Sequence, residues 1–101
     1  MARLTKEEAT RILSNVSEEN KFWCNDGSAL SNLQELEAAL KNMNNETFGY
    51  HVNNEKNDFG NWIRDILKDD YLADEITKTK NKNVALKKLK NRLKTLNRFK
   101  K

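Results

Sequence analysis

Proline is absent from the 101 residues, and glycine occurs only three times, at Gly27, Gly49 and Gly60. Sheet proteins need turn residues at short intervals, so this shortage favours helices joined by brief loops. A single cysteine, Cys24, rules out an internal disulfide and fits a reducing compartment. With one histidine, His51, beside that one cysteine, the chain falls short of a structural zinc set. Three scattered glycines cannot build a phosphate-cradling loop, and no window carries the calcium-loop pattern. No stretch is apolar enough to span a bilayer, and residues 1–8 lack the apolar run of a secretory signal. The expectation is a cytoplasmic, non-enzymatic protein with no membrane association, metal or cofactor.

What is present points to one packed domain. Hydrophobic residues make up 37% and charged residues 34%, and two Trp, four Phe and two Tyr argue against a disordered chain. Thr5 and Glu8 form a capping box that opens a helix with Ala9, Ile12, Leu13 and Val16 on one stripe. Phe22-Trp23-Cys24 is an apolar knot, expected in the core, and Asn25-Asp26-Gly27 after it reads as a turn. Ser31 with Gln34 reads as a second capping box, ahead of Leu33, Leu36, Leu40 and Met43. Residues 46–52 read as a short helix, because one isolated strand would have no partner. Asn57 or Asp58 caps a helix carrying Phe59, Trp62, Ile63, Ile66 and Leu67, and Asp69 or Asp70 caps a shorter one with Leu72, Ala73 and Ile76. A last helix runs from about Asn83 to Phe99. The fold class expected is all-α, a compact bundle of four or five short helices ending in a basic amphipathic helix. Its core gathers Leu33, Leu36, Leu40, Phe59, Trp62, Ile63 and Ile66.

His51 is the one residue that invites an acid–base reading, with Asp58 as a carboxylate to orient it. A histidine just before a loop, with Asn57 and Asp58 at the next helix start, is also well placed to hold that loop by hydrogen bonds. The structural reading is preferred for His51, Asn57, Asp58 and Trp62. Cys24 as a nucleophile would need a base beside it, and the local signatures of thiol enzymes are absent.

The pattern Tyr50-His51-Val52, then Asn57-Asp58-Phe59 and Trp62, is the most specific part of a wider set. That set includes Phe22, Asp26-Gly27, Leu33, Glu35-Leu36, Ala39-Leu40, Phe48 and Leu72-Ala73. It resembles an uncharacterised family of small prokaryotic, mainly archaeal, proteins. The resemblance implies that residues 22–73 form the domain proper, and it supplies no chemistry.

Charge is distributed unevenly. From Lys78 to Lys101 there are eleven Lys or Arg and no acid, which leaves residues 1–77 with eight basic and fifteen acidic side chains, a net of −7. The overall +4 therefore hides an acidic helical domain, 1–77, and a basic amphipathic helix, 78–101, expected to pack on it. Leu86, Leu89, Leu93 and Leu96 recur at helical spacing, and the cations fall largely off that stripe. Four readings follow: a solvated face over a packed stripe, a phosphate-binding face, a short coiled coil, or a membrane-surface helix. The one carried forward is contact with RNA or DNA backbone through Lys87, Lys88, Lys90, Arg92, Lys94 and Arg98. Lysine predominates there, so recognition would be by point charge and weakly sequence-selective. The competing reading is a protein partner met by the leucine stripe or by the Tyr50–Trp62 region.

Overall fold

Helix α1, Lys6–Leu13, opens on Thr5, whose hydroxyl accepts from the Glu8 amide while the Glu8 carboxylate accepts from the Thr5 amide. A computed structural model describes residues 4–100; Lys101, the last cation of the expected tail, and residues 1–3 lie outside it. Ala9, Ile12 and Leu13 turn the buried face of α1 inward. After a 3-10 turn at Glu18–Asn20 the chain forms a small antiparallel hairpin, β1 (Phe22–Trp23) with β2 (Ala29–Leu30).

That hairpin corrects the purely helical expectation. The fold is mostly helical with a two-stranded sheet, and the described residues hold six α-helices rather than four or five. Strands of two residues are too short to show alternation in sequence. Gly27, at φ +95°, supplies the left-handed backbone of the turn, and Asp26 accepts from the Ser28 amide at 3.0 Å. Adjacent strand residues face opposite ways, so Phe22 is buried and Trp23, expected beside it in the core, is 65% exposed.

Helix α2 spans Leu33–Asn42 and α3 spans Asn45–His51. The cap of α2 is Asn32, one residue later than expected: its side chain accepts from the Glu35 amide, and Glu35 in turn accepts from the Ser31 amide. Helix α4, Asp58–Trp62, begins at Asn57 and runs into a π-helical turn, Ile63–Leu67, which Lys68 ends in the left-handed region at φ 61°. The wider turn shifts the inward face by a residue. Leu67 is buried as expected, whereas Ile66, expected in the core, is half-buried. Helix α5, Asp70–Thr77, is capped by Asp69. A Cβ on Gly60 would run into the Thr77 methyl, so glycine allows the close approach of α4 and α5.

Helix α6, Lys82–Lys100, is the longest element and packs against α1, α2 and α5. Its buried row is Ala85, Leu89, Leu93 and Leu96; Leu86 is only half-buried beside it. The tail leucines thus form one wall of a core that also holds Leu33, Leu36, Leu40, Phe59, Trp62 and Ile63. No helix of the described residues is long and apolar enough to cross a membrane.

Candidate functional site

The residues singled out in sequence fall into two groups. His51, Asn57, Asp58 and Trp62 meet where the hairpin, α3 and α4 converge. His51 is 3% exposed and packs against the Phe22 and Phe59 rings at centroid distances of 5.1 and 5.3 Å. Its Nε2 accepts from the Asn25 amide at 2.9 Å, so that nitrogen carries no proton. Its Nδ1 then bears the hydrogen and donates to Asp58 Oδ2 at 2.9 Å. The same carboxylate oxygen accepts from Lys56 Nζ at 2.9 Å. Burial pushes the Asp58 carboxyl up, but the bonds from His51 and Lys56 outweigh it and hold the group below the ordinary carboxylate range. Lys56 is pushed up by the same bond.

Both ring nitrogens of His51 are therefore spent inside the protein, and its one basic lone pair, on Nε2, is not presented to a substrate. Asn57 joins two helices: its carbonyl oxygen accepts from the Gly60 amide and its amide donates to the Ile76 carbonyl. Trp62 donates from Nε1 to the Asn20 carbonyl at 2.8 Å and packs its ring against Phe22. Cys24 directly precedes Asn25, whose amide binds His51, so the hairpin ties the segment of the one cysteine to that of the one histidine, a link the sequence did not reveal. Burial raises the Cys24 thiol, which opposes formation of a thiolate. No group of three or more His, Cys, Asp or Glu side chains placed to hold a metal occurs among the described residues.

The six tail cations divide by helix face. Arg92 makes two parallel bonds, Nε and Nη2 to the Asp69 carboxylate, each 2.8 Å, and its guanidinium lies over Tyr71 at 4.8 Å. Lys88 Nζ reaches Glu75 Oε1 at 3.0 Å, and Glu75 is held below its ordinary range by hydrogen bonds from Lys78 and Lys88. These two cations are engaged with α5. Lys87, Lys90, Lys94 and Arg98 are exposed and make no ion pair among the described residues. Their steps of three, four and four residues place them on one row, about 80° wide and roughly 16 Å long at helical rise and pitch. Lys90, Lys94 and Arg98 line an open groove of about 680 Å³ whose floor is Leu93 and Asn97 and whose far wall carries Glu37 of α2.

Sequence reasoning grouped all six cations together and did not identify Asp69, Glu75, Tyr71 or Glu37 as their neighbours. One signal was available: at 100° per residue, Lys88 and Arg92 lie on the opposite flank of α6 from the other four. The acids that meet them are 13 and 23 residues away, beyond any local pattern.

No curated protein and no solved structure matches the chain. A family described as a family of unknown function (DUF5752) matches residues 16–98, a wider span than the resemblance over 22–73, from the segment after α1 through the hairpin to most of α6. With more than half of its length inside that match, the chain belongs to this family of unknown function.

Proposed function

We propose that this is a non-enzymatic binding protein that holds the phosphate backbone of RNA or DNA on the Lys87, Lys90, Lys94 and Arg98 face of α6. One observation carries the reading: four cations stand in a row on a helix whose other flank is tied down, and none of the four has an acidic partner among the described residues. Unpaired cations held in a row on a rigid helix neutralise phosphates and so release the counterions condensed on the nucleic-acid backbone. Lys88 and Arg92 take a different part. Their charge is committed to Glu75 and Asp69, and they hold α6 in place.

The protein-partner reading is narrowed by burial. The tail leucines line the core, and in the Tyr50–Trp62 region His51, Phe59 and Trp62 are inside, which leaves Tyr50, 55% exposed, as the aromatic available there. The test is a salt titration of oligonucleotide binding by the whole chain and by a Lys87→Gln/Lys90→Gln/Lys94→Gln/Arg98→Gln variant. Four contacts give a log–log slope near −3, from about 0.7–0.9 per phosphate. The variant is expected to lose most of that slope with an unchanged melting temperature. A folded variant that binds as the parent does, or a parent that binds neither RNA nor DNA at low salt, overturns the proposal.

A further inference from the structure

We infer that the nucleic acid held by this face is a single strand, read by its backbone alone and not as a duplex; the inference rests on the function proposed above. The cations form one row. Along the helix axis their steps are about 4.5, 6 and 6 Å, so they follow one line of charge. A duplex presents two backbones, separated by about 12 Å across the major groove and 6 Å across the minor. Engaging both needs a second row of cations beside the first.

Neither flank supplies such a row among the described residues. On the α2 side the carboxylate of Glu37 lines the same open groove as Lys90, Lys94 and Arg98, and Lys41, one turn further along α2, is a single cation. On the α5 side the available cations are Lys88 and Arg92, each already neutralised by an acid. Beyond them lies a body whose residues 1–77 carry a net −7. A second backbone would therefore meet spent cations, a carboxylate beside one lysine, or the acidic body. A single strand lying along the row meets the four free charges and has Glu37 on one side only. Base edges find few readers here: three of the four cations are lysines, without the planar fork that pairs with a guanine edge.

A basic patch without this architecture behaves in the opposite way. Duplex DNA has the higher linear charge density and the steeper counterion release, so it outcompetes a single strand on charge alone. Preference for the single strand is thus diagnostic. The experiment is fluorescence anisotropy at one fixed low salt with a mixed-sequence RNA 12-mer, a DNA 12-mer and the corresponding DNA duplex. The whole chain is expected to bind either single strand at least tenfold more tightly than the duplex, with little difference between strand sequences. Glu37→Gln removes the wall charge and is expected to narrow that ratio at least threefold, chiefly by improving duplex binding. Duplex binding equal to or tighter than single-strand binding, with Lys94→Gln weakening both, overturns this inference and leaves the function proposed above standing. An unchanged ratio in a folded Glu37→Gln protein overturns the role given to the wall. Absence of binding to all three probes overturns both readings together.

Discussion

Replacing Arg92 with methionine tests whether this cation belongs to the fold or to the ligand face. Asp69 is 2% exposed, and its carboxylate accepts three hydrogen bonds, two from Arg92 and one from the Leu72 amide as the cap of α5. Without Arg92 the carboxylate keeps only the Leu72 amide, and a buried charge loses its compensation. Breaking one side of such a pair costs about 3–5 kcal/mol. The Arg92 side chain is 13% exposed, so water can reach the vacated edge, and the lower figure, about 3 kcal/mol, is the one expected. Against a total of about 5–15 kcal/mol for a domain, that is a large fraction. Urea denaturation at neutral pH reads it as a drop in midpoint of roughly 1.5–3 M at an unchanged slope of about 1–2 kcal/mol/M. Arg92→Met/Asp69→Asn removes both charges and should cost less than the two single changes added together, because the pair is coupled. A midpoint that stays put in Arg92→Met refutes the reasoning, since it would mean that the pair contributes nothing and that Arg92 is free to meet a ligand.

Two further outcomes follow from the convergence at His51. His51→Leu keeps a buried apolar side chain but leaves the Asn25 amide without its acceptor and Asp58 without its inner donor; it should lower stability by about 1–3 kcal/mol, checked by thermal melting, and leave oligonucleotide affinity unchanged once folding is corrected for. The acid limb of stability is set in part by Asp58 and Glu75. Their carboxyls titrate below the ordinary range in the folded protein, so the unfolded chain takes up protons first. That contribution is fully present above the ordinary carboxylate pKa, near about 4, and is lost as pH falls through the folded values. Melting temperature should fall below about pH 4, with a shallower fall in Asp58→Asn; a parent protein that grows more stable from pH 5 to pH 3 would contradict the assignment.

The helices were legible because their signals are local. Thr5, Asn57 and Asp69 sit where capping chemistry places them, and apolar spacing marks the inward faces of α1, α2 and α5. The hairpin was not legible, since Phe22–Trp23 and Ala29–Leu30 are too short for a period of two. The same cause misplaced Trp23: two adjacent aromatics look like one apolar knot until a strand sends them to opposite sides. Ile66 was misplaced by a π turn, which has no simple apolar signature. At the site, sequence pointed to His51 and Asp58 as a pair but not to Asn25, the partner that occupies Nε2. Such a bond depends on where the turn of the hairpin is set down, and that is a tertiary fact.

Helix α6 carries core, anchor and the proposed ligand face on separate flanks, and this determines which perturbations can be interpreted. Ending the chain at Thr77 removes the cations, but it also removes Ala85, Leu89, Leu93 and Leu96 from the core and Arg92 from Asp69. The three leucines alone contribute about 5–9 kcal/mol through burial, comparable to the whole stability of a domain. The partners they cover on α1, α2 and α5 would be left facing water. A chain ending at Thr77 is therefore expected to lack a cooperative melt and fixed tertiary structure, seen as a loss of near-ultraviolet circular dichroism and of dispersed amide resonances. Its failure to bind an oligonucleotide would then report unfolding and say nothing about phosphate contacts. Changes confined to Lys87, Lys90, Lys94 and Arg98 avoid the difficulty, because those side chains are exposed and support no buried group. A Thr77-terminated chain that still melts cooperatively would show that α6 is an appendage and not a wall of the core, and the packing account of Leu89, Leu93 and Leu96 would fail with it.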